Sequence, residues 1–433
     1  MAFLTTRRTL IALAGALALG TALTAPAAAQ DVTLSYLVDN APNAVAIAEQ
    51  MIADFEAANP GIRIELETRP GGADGDNITK TRLATGEMAD IFLYNSGSLF
   101  QAINPVQNLV DLSDEPWQAD VLDSFKTTVT APDGTVRGAP IGAAMGGGIL
   151  YNKPIYEELG LTVPKSWAEF MANNDKIKAA GKVPVIQTFA ATWSSQLFVL
   201  GDFFNVLAEE PTFAEDYTAG KAKYATTPAA LRAFEHQEEI FKAGDLNEDF
   251  AAATYEEGVA KVATGEGAHY PMLTAAITAL AELAPGNEND VGFFAIPGPD
   301  AASNGLTVWM PAGLYIPKTS QHIDEAKKFL AFAASVAGCD SQTAAGGATG
   351  PYLVKGCTLP DDVPEAVKDL LPYFQQEGTT APALEFLSPI KGPNLEQITV
   401  EVGSGIRSAA EGAALYDEDV KKQAMQLGLP GWE

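Results

Sequence analysis

The stretch VTLSYLVDNAPNAVAIAEQMIADFEAANPGIRIELETR, residues 32–69, decides the fold. Val32, Leu34, Tyr36 and Val38 alternate with less apolar neighbours, the period of a strand. Ala44, Ala48, Met51, Ile52 and Phe55 then recur at helical spacing, and Asn59-Pro60-Gly61 ends the run. Ile62, Ile64 and Leu66 alternate against Arg63, Glu65 and Glu67, so a second strand follows. A polar loop from Gly71 to Asn77 leads into a helix ending near Gly86, and Asp90 to Tyr94 reads as a third strand. The order β-α-β-α-β predicts an α/β fold on a parallel sheet with helical crossovers. In open sheets of that kind, ligands sit beyond the carboxyl ends of the strands. Those ends hold Asp39, Asn40 and Asn43 after the first strand, Arg69 to Asn77 after the second, and Tyr94, Asn95, Ser96 and Ser98 after the third. Amides, hydroxyls, carboxylates and an aromatic ring suit a hydroxyl-rich ligand but include no arranged nucleophile and base, so recognition is expected and not catalysis.

Outward from this stretch, 433 residues with 47% apolar side chains exceed the usual single-domain length, and two domains are expected. The Asp133-Gly134 turn and the Gly-rich run Gly138 to Gly148 mark a crossing into a second domain near residue 140. Helical patterns dominate from Ser166 to Leu283, broken at Val183 to Gln187, and Val291 to Ile296 resumes a strand. Val308 to Ile316 reads as extended, and His322 to Val336 as an amphipathic helix. Further helices are expected around 364–374, 394–411 and 417–427.

Acidic residues number 55 against 27 Lys plus Arg, a formal charge of −28, which argues against a nucleic-acid backbone or an anionic membrane as partner. Two cysteines and the scattered His236, His269 and His322 provide no set of soft metal ligands, and no cofactor is expected. Arg7 and Arg8 precede the apolar run Leu10 to Leu19, and Ala27-Ala28-Ala29 supplies small side chains for cleavage, so residues 1–29 read as an export signal. Thr6-Arg7-Arg8-Thr9-Leu10 resembles a twin-arginine signal without its full motif, which leaves the export route open. No cysteine lies near the cleavage region, so no lipid anchor is expected, and no later segment reaches about 18 uninterrupted apolar residues. Losing both arginines brings the mature charge to about −30. In an oxidising compartment Cys339 and Cys357 are expected to form a disulfide closing a loop of roughly 19 residues.

Seven segments resemble, in order, the extracellular solute-binding proteins of ABC importers, in the maltose-binding-protein-like group that mostly carries sugars. They are Phe55 to Ile64 (FEAANPGIRI), Leu83 to Phe92 (LATGEMADIF), Asp133 to Pro140 (DGTVRGAP), Leu150 to Tyr156 (LYNKPIY), Val163 to Phe170 (VPKSWAEF), Val291 to Pro299 (VGFFAIPGP) and Ile316 to Ser320 (IPKTS). The resemblance implies two hinged α/β lobes with the ligand in the cleft between them. It places the first lobe at 30–139, the second at 140–295, a return to the first at 296–336 and the rest of the second at 337–433. The crossings would fall near Gly138 to Gly142, Val291 to Pro297 and Ala337 to Gly350. Carried over by position, the family's sugar contacts fall on Asn40, Asn43, Asp76, Asn77, Tyr94, Asn95, Ser98 and the Phe189 to Trp193 segment. After Gly265-Glu266-Gly267-Ala268 the family commonly has an aromatic platform, where this chain reads His269-Tyr270-Pro271-Met272; Tyr270 or Trp309 is the substitute.

Several of these residues have an ordinary structural reading as well. Trp193, beside Leu197 and Phe198, suits core or platform; Trp117 and Trp167 suit structure. Asp76 suits a helix cap, Asp39 and Asn40 suit a turn, and Arg69 suits a solvated charge better than a ligand clamp. Asp245, Asn247, Asp249 and Glu256 match calcium-loop spacing, but Phe250 stands where that loop needs glycine. No nucleophile elbow, Walker motif or His-Glu-x-x-His occurs. The expected function is a periplasmic, monomeric, non-catalytic sugar-binding component of an ABC importer, delivering a di- or oligosaccharide or glycoside to permease subunits in the inner membrane. The alternatives are a secreted carbohydrate-active enzyme, or the same fold binding a polyol, sugar acid or other small solute.

Overall fold

The computed structural model describes residues 32–346 and 349–432, so the export-signal reading of 1–29 lies outside the described residues. Two sheets organise the chain. Strands β1 (Val32–Asp39), β2 (Ile62–Arg69), β3 (Ile91–Tyr94), β4 (Gly138–Ile141) and β10 (Ala312–Tyr315) form the first, in the order β2-β1-β3-β10-β4. β1 runs parallel to β2 from Val32 opposite Ile62 to Asp39 opposite Arg69, and parallel to β3, whereas β10 is antiparallel to β3 and β4. The register brings Asp39, Arg69 and the residues after Tyr94 to one end of the sheet, the carboxyl end of its parallel strands. The helix Pro42–Ala58 starts with proline at its first position, where no amide partner is lost, and buries Ala48, Met51 and Phe55. Phe55 meets Phe329 edge-on from the helix Ile323–Ala333.

The second sheet contains β5 (Met145–Asn152), β6 (Val183–Val185), β7 (Gly267–Leu273), β8 (Val291–Ala295), β9 (Leu306–Trp309) and β11 (Thr380–Pro382). Its order is β11-β9-β5-β7-β6, with β8 continuing along the edge of β5 that β9 starts. Gly146, Gly147 and Gly148 lie in β5 because neighbours fill the space of their side chains: a Cβ on Gly147 would stand 2.1 Å from the Trp309 ring. Against this sheet a separate helical layer packs Pro228–Ala243, Leu395–Gly403 and Ala409–Gln426 around Tyr224, Phe234 and Tyr416.

The crossings differ from the sequence expectation. The first runs through 142–144, between β4 and β5. The second lies at Met310-Pro311 and not at 291–297, because β8 and β9 both pair with β5 and the return to the first sheet begins at Ala312. Pro311, which has no amide hydrogen, separates two strands that the apolar run Val308 to Ile316 presents as one. The helix Val336–Gly346 stays with the first sheet, packed on Pro42–Ala58, so the third passage follows it and ends in the helix Glu365–Gln375 on β8. The expected helix 394–411 ends at Gly403; Ser408 caps the next helix in a capping box with Glu411.

Cys339 and Cys357 are joined in a disulfide, their Cα atoms 6.1 Å apart, beside Ala143, Tyr352 and Val354. Asp202, between the helices Leu197–Gly201 and Phe203–Glu209, is fully buried. Its Oδ1 accepts a bond from Asn205 Nδ2 at 2.7 Å, while its Oδ2 and the Asn205 Oδ1 have no partner. His236 stacks on Trp167 with ring centroids 3.6 Å apart, and His269 shares a 2.6 Å hydrogen bond with the Tyr156 hydroxyl. Burial pushes both imidazoles down to about 3, so they stay neutral. The calcium-like string is tied up elsewhere: Asp245 pairs with Lys178, Asn247 bonds the Gln187 backbone, and Asp249 pairs with Lys261. Among the described residues no helix is long and apolar enough to cross a membrane.

Candidate functional site

A cavity of about 630 Å³ lies between the two sheets, within the range of small-molecule sites. From the first sheet, Asp39, Asn40 and Asn43 reach it from the loop after β1 and the start of the next helix, Arg69 and Asp76 from β2 and the helix Gly72–Thr85, and Asn95 and Ser96 from behind β3. Facing them are Trp193, Gln196, Tyr255, Glu256 and Trp309, with Glu385, Lys391 and Glu396 from the last hundred residues. The walls meet at the rim. A Cβ on Gly72 would stand 3.7 Å from Glu396 Oε2 and 3.8 Å from Trp193 Cδ1, and one on Gly97 would stand 2.5 Å from the Glu385 carbonyl oxygen.

Each polar group is held by its own element. Asp39 Oδ1 accepts the Ala41 amide at 3.0 Å, fixing the turn out of β1. Arg69 is buried, contrary to its reading as a solvated charge; its guanidinium donates to the Pro70 and Leu93 carbonyls and lies 5.8 Å from the Tyr94 ring centroid. Asp76 is in the second turn of the helix Gly72–Thr85, so it does not cap it, and Gly71 occupies the cap position. Glu396 opens the helix Leu395–Gly403, and its Oε2 accepts the Thr192 hydroxyl at 2.9 Å. Ser195 donates to the Glu396 carbonyl, which ties that helix to the Trp193 segment. Lys391 pairs with Glu385 at 3.6 Å. Burial raises the Asp39, Asp76 and Glu396 carboxyls above their ordinary values, with Arg69 opposing the rise at Asp39 and Asp76 and Lys391 opposing it at Asp76 and Glu396.

Nine residues singled out in the sequence line this cavity: Asp39, Asn40, Asn43, Arg69, Asp76, Asn95, Ser96, Trp193 and Trp309. Five fall elsewhere. Asn77 turns to solvent on the helix, one position past Asp76. Tyr94 is buried under Arg69, and Ser98 is buried at the start of a short helix. Phe189 packs edge-on against Phe250 behind the wall. Tyr270 is buried in β7, bonded through its hydroxyl to Thr188, so of the two proposed substitutes for the missing platform Trp309 is the one at the cleft. Tyr255, which packs against Trp193 with centroids 5.4 Å apart, and the trio Glu385, Lys391 and Glu396 escaped the sequence reading. Nothing local marks them, since Thr192 and Glu396 meet across 204 residues of chain.

Residues 40–338 match the family described as bacterial extracellular solute-binding protein. The chain is 24% identical over 294 residues to a multiple sugar-binding protein of Streptococcus mutans, covering 66% of this chain and 67% of that one. It is 26% identical over 293 residues to an uncharacterized ABC transporter extracellular-binding protein of Pyrococcus horikoshii, covering 66% and 64%. The matched region thus spans about two thirds of each relative. Among solved structures, a chitin oligosaccharide binding protein superposes with a TM-score of 0.79 at 20% identity, over 91% of this chain and 99% of that one. The solute-binding protein RafE in complex with raffinose gives 0.73 at 20% identity, over 92% and 99%. These likenesses establish the two-lobe α/β fold.

Proposed function

Because the chain belongs to the bacterial extracellular solute-binding protein family, we propose that it captures a sugar, a di- or oligosaccharide or a glycoside, in the interlobe cleft and delivers it to the permease of an ABC importer. It acts without catalysis, as an exported periplasmic monomer whose signal is residues 1–29. The observation that carries this reading is the cavity itself, which joins aromatic faces from one lobe to amides and carboxylates from the other. Trp193, Tyr255 and Trp309 offer flat apolar surface for the C–H faces of sugar rings, while Asn40, Asn43, Asn95 and the carboxylates can bond paired hydroxyls. Groups from both lobes are needed for one ligand, so binding favours the closed arrangement.

The test is thermal unfolding of ligand-stripped mature protein against mono-, di- and oligosaccharides, polyols and sugar acids. A ligand at about 100 times its Kd adds about 2.7 kcal/mol. Stabilisation by one carbohydrate class, with the sugar recovered intact, supports the proposal; no stabilisation by any sugar ends it. One observation favours a second reading, a carbohydrate-active enzyme: Asp76 and Glu396 bring two carboxyls with raised pKa into the cleft from opposite lobes. Cleavage of the sugar in the same experiment would establish it.

Within the binding reading, Trp193→Ala and Trp309→Ala are each expected to weaken the identified sugar about tenfold or more, through lost ring contact. Titration calorimetry reads this directly, and wild-type affinity in either variant would reduce that ring to a wall residue.

A further inference from the structure

We propose that the cleft selects a solute carrying a protonated amine beside its hydroxyl groups, an amino sugar or basic glycoside, over neutral and acidic counterparts. This rests on the carbohydrate reading above and narrows it. The lining holds five carboxylates, Asp39, Asp76, Glu256, Glu385 and Glu396, against two cations, Arg69 and Lys391. Both cations are already engaged. Lys391 pairs with Glu385, and Arg69, bonded to two backbone carbonyls, sets its charge against Asp39 and Asp76. Three negative charges therefore remain over in a cavity that closure removes from bulk water, where like charges repel more strongly than in solvent.

A second observation points the same way. Gln196 is only 5% exposed, lines the cleft, and its carbonyl oxygen has no hydrogen-bond partner. A buried acceptor without a donor is costly, and a ligand N–H or O–H supplies that donor. The wall thus adds an unpaired acceptor to its carboxylates. Trp193 and Tyr255 add ring faces of the kind that attract cations. Burial raises three of the carboxyls above their ordinary values although Arg69 and Lys391 oppose the rise, so desolvation outweighs the cations present. An anionic sugar would meet this surplus with repulsion, and an N-acetylated one would cancel no charge.

The experiment is titration calorimetry of the ligand-stripped mature protein with matched pairs: glucosamine and galactosamine, as monosaccharides and disaccharides, each against its N-acetylated form and its neutral hydroxyl counterpart. The amines are expected to bind about tenfold tighter than their partners, an advantage that shrinks as salt rises from about 20 mM to about 500 mM. Glu396→Gln is expected to reduce that advantage severalfold. Neutral or acetylated sugars binding as tightly as the amines would overturn this inference and leave the sugar reading standing, as would an amine advantage indifferent to salt. Binding by no member of any pair would overturn both.

Discussion

Between pH 4 and pH 7 the folded protein is expected to lose on the order of 4 kcal/mol of stability through one side chain, Asp202, whose carboxyl burial pushes up to about 7. The sign follows from proton counting. In this window the native state holds a proton on Asp202 that the unfolded chain, with an ordinary carboxyl near 3.8, has released. Stability from this group is complete below the unfolded value, falls as pH rises, and levels off above the folded value. The cause is visible around the side chain. Only one carboxylate oxygen has a donor, Asn205 Nδ2, and the Arg232 charge that would favour ionisation is offset by Glu209, with which Arg232 pairs. In the neutral acid the hydroxyl brings a donor next to an Asn205 side chain whose own carbonyl oxygen is unpartnered. Asp202→Asn should match the wild type at pH 4 and exceed it at pH 8, as read from urea unfolding at both. A stability difference independent of pH would refute the assignment, and the comparison removes the many exposed carboxylates, which titrate alike in both proteins.

Replacing both cysteines, in Cys339→Ser with Cys357→Ser, is expected to cost about 3 kcal/mol, the loop-closure entropy of a ring of this length. Both ends sit on the first-sheet lobe. Cys339 belongs to the helix packed on Pro42–Ala58, and Cys357 follows Val354, which bridges to Val121. The loss should therefore appear as an earlier urea transition in probes of that lobe, such as Trp117, before probes of the second lobe. An unchanged transition in the double variant, or in wild type under reductant, would mean that the helix holds without its staple.

Much of this architecture was legible from local pattern. The alternation in β1 and β2 and the spacing of Ala48, Met51 and Phe55 are short-range signals, and they place Asp39 and Arg69 at the same end of the sheet. What stayed hidden depends on distant partners. Arg69 reads as an exposed charge until the Leu93 carbonyl and the Tyr94 ring are seen beside it. Tyr270 and Phe189 are as aromatic as Trp193, and only the packing of β7 and of Phe250 decides that they face inward. The crossing at Met310-Pro311 was masked because the chain is buried on both sides of it, so hydropathy does not change where the lobe does. The disulfide needed no distant information beyond the count of two cysteines and an oxidising destination.

Gly147 has a bearing on how proteins of this design diversify. Every other amino acid carries a Cβ, and at this position that atom would overlap the Trp309 ring lying on β5. A side chain there displaces the ring, so substitution at this strand moves the Trp309 wall of the cavity. Asn40, Asn95, Lys391 and Glu396 instead line the cavity from loops and helix starts, with Gly97 and Gly392 beside them packed against Glu385 and Tyr416. A lineage descending from this chain would keep Gly147 and Trp309 together and vary its cleft at the polar side chains.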